Sequence, residues 1–373
     1  AFAADAAAGE EIAISAERFP DEQFRNYISE QLDSDGDNML SAAECSEVVD
    51  LNVSQQGIAD LTGIDVFSKL QQLDCSGNTL SALDISGAAQ LLQLNCSANP
   101  DLSALKLPEK NSAFSFLVML DCSDCALTEL SLDSYALLGT LDCSGNQLEA
   151  LDISANSNLR TVDCSGNQLE ALDISANSNL QTVNCSNNQL TTLDFSRNAK
   201  LEEVDCSGNQ LTELDVYNAL LQKLDCSENA LSSLFLSECS ALRELDCSRN
   251  QLVELDTTGL TLEILETAGN QRAIVPQPER AGAYSYDLNN LPELEQDRIT
   301  GWENASVKED SANVLQIPAD TERVSYGYRL DSQQAVPVAT FTLTLQPDEA
   351  CYLQLNEEHF PDAAFRSLVS DSC

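Results

Sequence analysis

Hard oxygen ligands alternate through one short stretch of the chain. From Asp33 to Glu44 it reads DSDGDNMLSAAE, with carboxylates at Asp33, Asp35 and Asp37, a hydroxyl at Ser41 and a closing carboxylate at Glu44. With the Met39 carbonyl added, that spacing wraps about six or seven oxygens around one calcium ion. Cysteine is the second chemical resource: 14 are present, enough for a disulfide framework or a metal protein. Histidine is nearly absent. His359 is the only one, which leaves no imidazole base for a nucleophile and no multi-His metal site. Carboxylates suited to glycoside hydrolysis abound, but they recur regularly and no pair stands apart from the rest. The sequence is therefore read as non-enzymatic.

The positions of the cysteines decide what they are for. Cys75, Cys96, Cys122, Cys143, Cys164, Cys185, Cys206, Cys226 and Cys247 follow one another at 21, 26, 21, 21, 21, 21, 20 and 21 residues. Each sits in a block such as LDCSGNQL, and a second block such as LDIS follows about ten residues later, as at 151–154 and 172–175. Alternating triplets are strand-like, so Leu141 and Cys143 are expected inward and Asp142 outward. The Asn three residues after each Cys, including Asn146, Asn167, Asn188 and Asn209, falls where the chain turns. A small amide there can bond its own turn and its neighbour's. Nine parallel, stacked Cys side chains suit packing better than the torsion of a disulfide, so they read as buried free thiols. The only CxxC, Cys122–Cys125, lies inside this ladder, which argues against a zinc site.

These motifs resemble the leucine-rich repeat. The nested form LxxLxCxxNxLxxLDLxxN is similar to short repeats of bacterial cell-surface proteins and, more distantly, of internalins. The resemblance covers residues 48–272, starting at Leu51-Asn52-Val53 and closing at Leu265-Glu266-Thr267 with Asn270. It implies a parallel-β solenoid of about eleven turns in an α+β chain. Cys125 departs from it by standing where Asn is usual, and the turn after Cys96 departs by inserting KLPEKNSAFSF.

Four flanking segments complete the division. Residues 1–13 read as a linker after a signal peptide, since Ala1-Phe2-Ala3 has the small-x-small form of a cleavage site. Residues 14–47 are expected to form a helical, EF-hand-like cap: Pro20, Asp21 and Glu22 start a helix, and Phe24, Tyr27, Ile28 and Leu32 share one face. Asn38 stands at the loop position where Gly is usual and tolerates a left-handed backbone. Residues 273–350 hold strand-like runs at Tyr284–Leu288, Val314–Ile317, Arg323–Leu330 and Val338–Leu345, and resemble a small Ig-like β-sandwich that would cap the last turn. Residues 351–373 begin a second cap-like helix, because Phe360, Pro361, Asp362, Phe365, Arg366 and Ser370 repeat Phe19, Pro20, Asp21, Phe24, Arg25 and Ser29.

Charge narrows the partners. Lys and Arg number 18 against 61 Asp and Glu, a net charge of −43. That excludes binding to nucleic acid and to anionic membrane surfaces. No apolar run is long enough to span a membrane. Part of the acidity is one outward Asp per half-turn, each able to cap its own turn. Large apolar residues near loops, Phe114, Phe116, Met119, Tyr135, Tyr217 and Phe235, are the candidates for ligand contact; Phe235 replaces an outward Asp. The sequence thus points to a secreted or cell-surface binding protein, monomeric, with an adhesive role toward a protein or glycan and at most one structural calcium ion. An architectural spacer in a tandem stalk and a carbohydrate-binding surface protein are the alternatives.

Overall fold

The computed structural model describes residues 11–108, 116–236, 238–274, 277–278, 284–308, 311–318, 321–329 and 338–346. Phe114, His359, the expected signal-peptide remnant and the second cap-like helix lie outside them. The chain divides into two compact units: 1–210 with 218–224, and 211–217 with 225–373. The repeat builds a parallel-β solenoid of about ten turns across the chain.

In the first unit eight three-residue strands pair in parallel, one per turn: Asp50–Asn52, Gln72–Asp74, Gln93–Asn95, Met119–Asp121, Thr140–Asp142, Thr161–Asp163, Thr182–Asn184 and Glu203–Asp205. The register is strict, with Leu141 beside Val162 and Val162 beside Val183. Strict register follows from alternation, because a slip of one residue would turn Leu and Cys outward. Leu141, Cys143, Val162 and Cys164 are fully buried.

Past each strand the backbone turns away, and the Asn completes the hydrogen bonding. Asn167 Nδ2 donates to the carbonyls of Cys143 (2.9 Å), Cys164 (3.0 Å) and Ser165 (3.2 Å), while its Oδ1 accepts the Leu148 amide at 3.0 Å. Asn146, Asn188 and Asn209 repeat this set. Cys125 stands in for Asn: its Sγ reaches the Cys96 and Ser123 carbonyls, each at 3.4 Å. One extra residue, Pro100, lengthens the preceding turn, and the Leu102 amide bonds Asn99 O instead.

The second half of the turn departs from the sequence expectation. Among the described residues of the first unit only Ala82–Asp84 and Ala104–Lys106 pair as strands there, and the LDIS and LDFS segments at 151–154, 172–175 and 193–196 do not. A second row of asparagines links those turns in place of a backbone ladder. Asn177 Nδ2 bonds Ile153 O and Asn156 O, and Asn198 bonds Ile174 O and Asn177 O. All three are fully buried, yet the Oδ1 atoms of Asn156, Asn177 and Asn198 have no hydrogen-bond partner.

At the start of this unit Asp21 caps helix α1 (Glu22–Gln31) through Phe24 N and also accepts the amides of Ala59 and Asp60. Arg18 pairs with Asp65 at 2.9 Å. Phe19, Phe24 and Ile28 are buried against this end. Helix α2 (Ala42–Glu47) follows the acidic loop.

In the second unit Glu213–Asp215 pairs in parallel with Ser233–Phe235, and Glu244–Asp246 with Ile264–Glu266. Two four-stranded sheets follow. One runs Gln271–Ile274, Val338–Leu345, Arg323–Arg329, Ile299–Glu303; the other runs Gln277–Pro278, Tyr284–Asp287, Ser311–Ile317, Ser306–Lys308. The strands at 271–274, 299–303 and 306–308 carry no clear alternation in the sequence and were not expected from it. Buried groups join these sheets to the turn before them. Arg298, 3% exposed, bonds Asp256 and Glu295 at 3.2 Å each and lies over the Tyr328 ring. Tyr328 Oη donates to Glu254 at 2.8 Å, and Tyr326 Oη donates to Val253 O. Burial raises the Glu254 carboxyl above its usual range.

The two asparagine rows are expected to differ in weight. Asn167→Ala leaves the buried Leu148 amide without its acceptor and removes one donor from each of the Cys143, Cys164 and Ser165 carbonyls, which keep Asn146, Asn188 and the Gly145 amide. At about 1–3 kcal/mol for one orphaned buried group it should cost about 2–3 kcal/mol. Asn177→Ala orphans no group, since the Ile153 and Asn156 carbonyls keep the amides of Asn156 and Leu159, and it should cost less. Guanidinium unfolding followed by circular dichroism orders the two variants.

Candidate functional site

The acidic loop gathers three of its six sequence-nominated residues. One carboxylate oxygen from each of Asp33, Asp35 and Asp37 lies within 4.8 Å of the others. The loop's own amides hold them: Gly36 N and Asn38 N donate to Asp33, Asp37 N to Asp35, and Met39 N to Asp37. Gly36 (φ 73°) and Asn38 (φ 67°) are both left-handed, which makes this tight winding possible. Met39–Leu40 pairs antiparallel with Ile12–Ala13, with Leu40 beside Ile12. Ile14 N bonds Asn38 O while Met39 N is spent on Asp37, so Met39 occupies a non-bonded site of that pair and its carbonyl is off the ladder. This all-oxygen donor set suits a hard cation.

Ser41 and Glu44 are engaged elsewhere. They form a capping box on helix α2: Glu44 N donates to Ser41 Oγ, while Ser41 N and Oγ donate to Glu44 Oε2 at 2.9 and 2.8 Å. Ser34 N and Oγ both donate to Glu44 Oε1 at 2.7 Å. The hydrogen bonds from Ser41 and Ser34 hold the Glu44 carboxyl down at about 2. Its charge is thus satisfied within the protein.

The exposed side of the strands is the other candidate surface. The residue before each inward Leu or Val forms one row, Asp50, Gln72, Gln93, Met119, Thr140, Thr161, Thr182 and Glu203. The residue after it forms a second row of Asp and Asn. In that second row each Asp accepts the amide of the Ser two residues on, and most accept its hydroxyl too, as Asp142 does from Ser144 at 3.0 and 2.7 Å. Burial raises the Asp142 carboxyl, the Ser144 bonds oppose the shift, and Asp163 and Asp121 add to it. Asp152 and Asp173, held by Ser154 and Ser175, are lowered. These carboxylates cap turns and are not arranged as acid–base pairs.

Two features break the polar regularity of this face. A concavity of about 430 Å³ lies over the first strands, lined by Asp50, Asn52, Gln72, Asp74, Gln93, Asn95 and Met119. Beside it the apolar residues Phe116, Val118, Met119 and Leu137 are 39–45% exposed. Val118 N bonds Leu92 O and Gly139 N bonds Val118 O, so this column reads Leu92, Val118, Gly139 where the next turns carry Arg160 and Gln181.

Of the aromatic candidates, Phe116 belongs to that patch, and Tyr217 and Phe235 are exposed in the second unit. Tyr135 is a correction. It is 4% exposed and its hydroxyl bonds Pro108 O at 2.8 Å, which makes it a core residue at the mouth of the insertion. It occupies the slot that Asn156 fills one turn later. Sequence reading passed over Val118 and Leu137, whose signal was an apolar residue where neighbouring turns are polar. The ladder cysteines Cys75, Cys96, Cys122, Cys143, Cys164, Cys185, Cys206, Cys226 and Cys247 are all free and fully buried. No helix among the described residues is long and apolar enough to cross a membrane.

Comparison with known proteins agrees with this geometry. Residues 19–177 match the family described as the endo-β-N-acetylglucosaminidase EndoS LRR domain, and residues 178–219 match the leucine-rich repeats (2 copies) family. No curated protein matches the sequence. Among solved structures, the functional domain of InlJ from Listeria monocytogenes, described as including a cysteine ladder, superposes with a TM-score of 0.57 at 21% identity, over 91% of this chain and 100% of that one. The leucine-rich effector YopM from Yersinia pestis gives 0.53 at 22% identity, over 69% and 66%. Residues 19–219 thus match leucine-rich repeats, and the fold is similar to that of InlJ.

Burial pushes the thiols of Cys164 and Cys247 up to about 12. At pH 8 both are expected to resist alkylation in the native protein and to react in denaturant, with peptide mapping as the readout.

Proposed function

We propose that this chain is a non-enzymatic binding protein of the cell exterior, which holds a protein partner on the strand face of its first unit. The observation that carries this reading is the apolar patch of Phe116, Val118, Met119 and Leu137 beside a concavity, on a face that is otherwise amide, hydroxyl and carboxylate. Exposed apolar clusters with a polar rim mark protein interaction sites. The outward carboxylates support the non-enzymatic part, since they are bound to their own serines. A secreted or surface location and an adhesive role accord with the internalin-like fold. A glycan ligand is the second reading, favoured by the amides of Gln72, Gln93 and Asn95 in the concavity.

Val118→Glu and Met119→Asp put charge into the patch without touching the core. On combined protein and glycan arrays, either variant should lose about tenfold or more of the signal from any protein that binds the parent chain. Unchanged protein signals would count against this face, and binding confined to glycans would favour the second reading.

Calcium belongs to the same proposal. Asp33, Asp35, Asp37 and the Met39 carbonyl would hold one ion, stiffening the loop between helices α1 and α2, while Ser41 and Glu44 maintain the capping box. Titration calorimetry with calcium chloride is expected to give one site in the parent chain and none in Asp33→Ala. Absence of heat in the parent would refute the site.

A further inference from the structure

The second unit carries a break in its outward row that points to a specific ligand chemistry. In the second half of the repeat the outward carboxylate is normally tied to the hydroxyl residue two positions on. Asp84 bonds Ser86, Asp152 bonds Ser154, Asp173 bonds Ser175, Asp194 bonds Ser196 and Asp256 bonds Thr258. Asp215 is the exception. Tyr217 stands where its Ser would be, and the exposed Asp215 carboxylate has no hydrogen-bond or ion-pair partner among the described residues.

The neighbouring turn changes at the same place. Asp215 is in register with Phe235, which replaces the Asp of its own turn. In-register parallel residues stand about 4.8 Å apart on one face. Phe235 is 55% exposed and Tyr217 62% exposed. Leu214 and Val216 are buried while Asp215 and Tyr217 are exposed, so alternation puts the acid and the Tyr ring on the same side of the chain. Glu213, one outward position earlier on the strand, adds a second exposed carboxylate.

A free carboxylate bracketed by two exposed rings is suited to a cation that can both stack and pair. We infer that Asp215, Tyr217 and Phe235 form a receptor for an arginine side chain of a protein partner. The guanidinium is planar, so it can lie on an aromatic face while its edge forks onto the Asp215 carboxylate; an ammonium ion lacks that double fit. The surrounding charge of the chain, −43 overall, favours a basic segment as the bearer of that arginine. This site does not depend on the first-unit face.

The test is anisotropy of a dye-labelled peptide, acetyl-Gly-Arg-Gly-Arg-Gly-amide, in about 0.15 M salt, where long-range charge attraction is largely screened. Asp215→Asn, Tyr217→Ser and Phe235→Asp are each expected to weaken binding about five-fold, and a citrulline peptide to bind weakly to all of them. Phe235→Asp separates the explanations, because it adds a negative charge and restores the pattern of the other turns. Diffuse attraction would make it bind as well or better, and that result would overturn the proposal. So would an equal loss in Asp173→Asn, whose carboxylate is already tied to Ser175, or no binding by the parent chain at millimolar peptide. Val118→Glu should leave this binding unchanged while removing any first-unit partner.

Discussion

The fold depends on one accounting constraint: each turn of the solenoid bends a chain whose carbonyls and amides must find partners away from water. Strands supply only three residues of ladder per turn. Much of what backbone bonds leave unmet falls to one asparagine, whose two N–H groups satisfy carbonyls in its own turn and the preceding one while its oxygen takes up an amide. An unmet buried group costs on the order of 1–3 kcal/mol, so the requirement recurs at every turn and fixes its length. The cysteine follows from it. Inside the bend there is room for a small apolar side chain, and a thiol donates weakly to the next turn's carbonyl, as Cys226 does toward Asp246 O at 3.4 Å.

Departures from that scheme can be read as changes in what needs a partner. Cys125 stands in for asparagine where Pro100 lets the Leu102 amide close its own turn. Cys239 takes the asparagine's place in the second row, its Sγ donating to Val216 O at 3.3 Å. Tyr135 fills the same row with a ring and sends its hydroxyl to the insertion. Outward carboxylates obey a similar logic, since each serves its own turn before it serves a ligand. A free one is therefore informative.

Much of this was legible in the sequence. Period-two alternation within a 21-residue recurrence determines which residues are inward, and strands, register and the buried Cys and Asn rows follow from it. The second half of the turn was not legible, because LDIS alternates as well as LDCS does and nothing in the triplet says that side-chain amides will replace the ladder. Tyr135 was misjudged on residue type, although counting 21 back from Asn156 places it inside. Ser41 and Glu44 show a different limit: Ser-x-x-Glu is at once a capping box and the closing positions of a calcium loop. The hydrogen bonds show the first of these roles.

Two adjacent turns, residues 143–160 and 164–181, are identical except for Arg160 and Gln181. Because each turn meets its neighbours through the same register and the same asparagine bonds, removing or duplicating one would bring together surfaces that already match. At the level of the gene, the repeat is a stretch where unequal crossing-over can change the length of the protein by a whole turn and still yield a chain that folds. Reach, and with it the spacing between the two ends of the array, is thus open to selection without any new packing having to be invented.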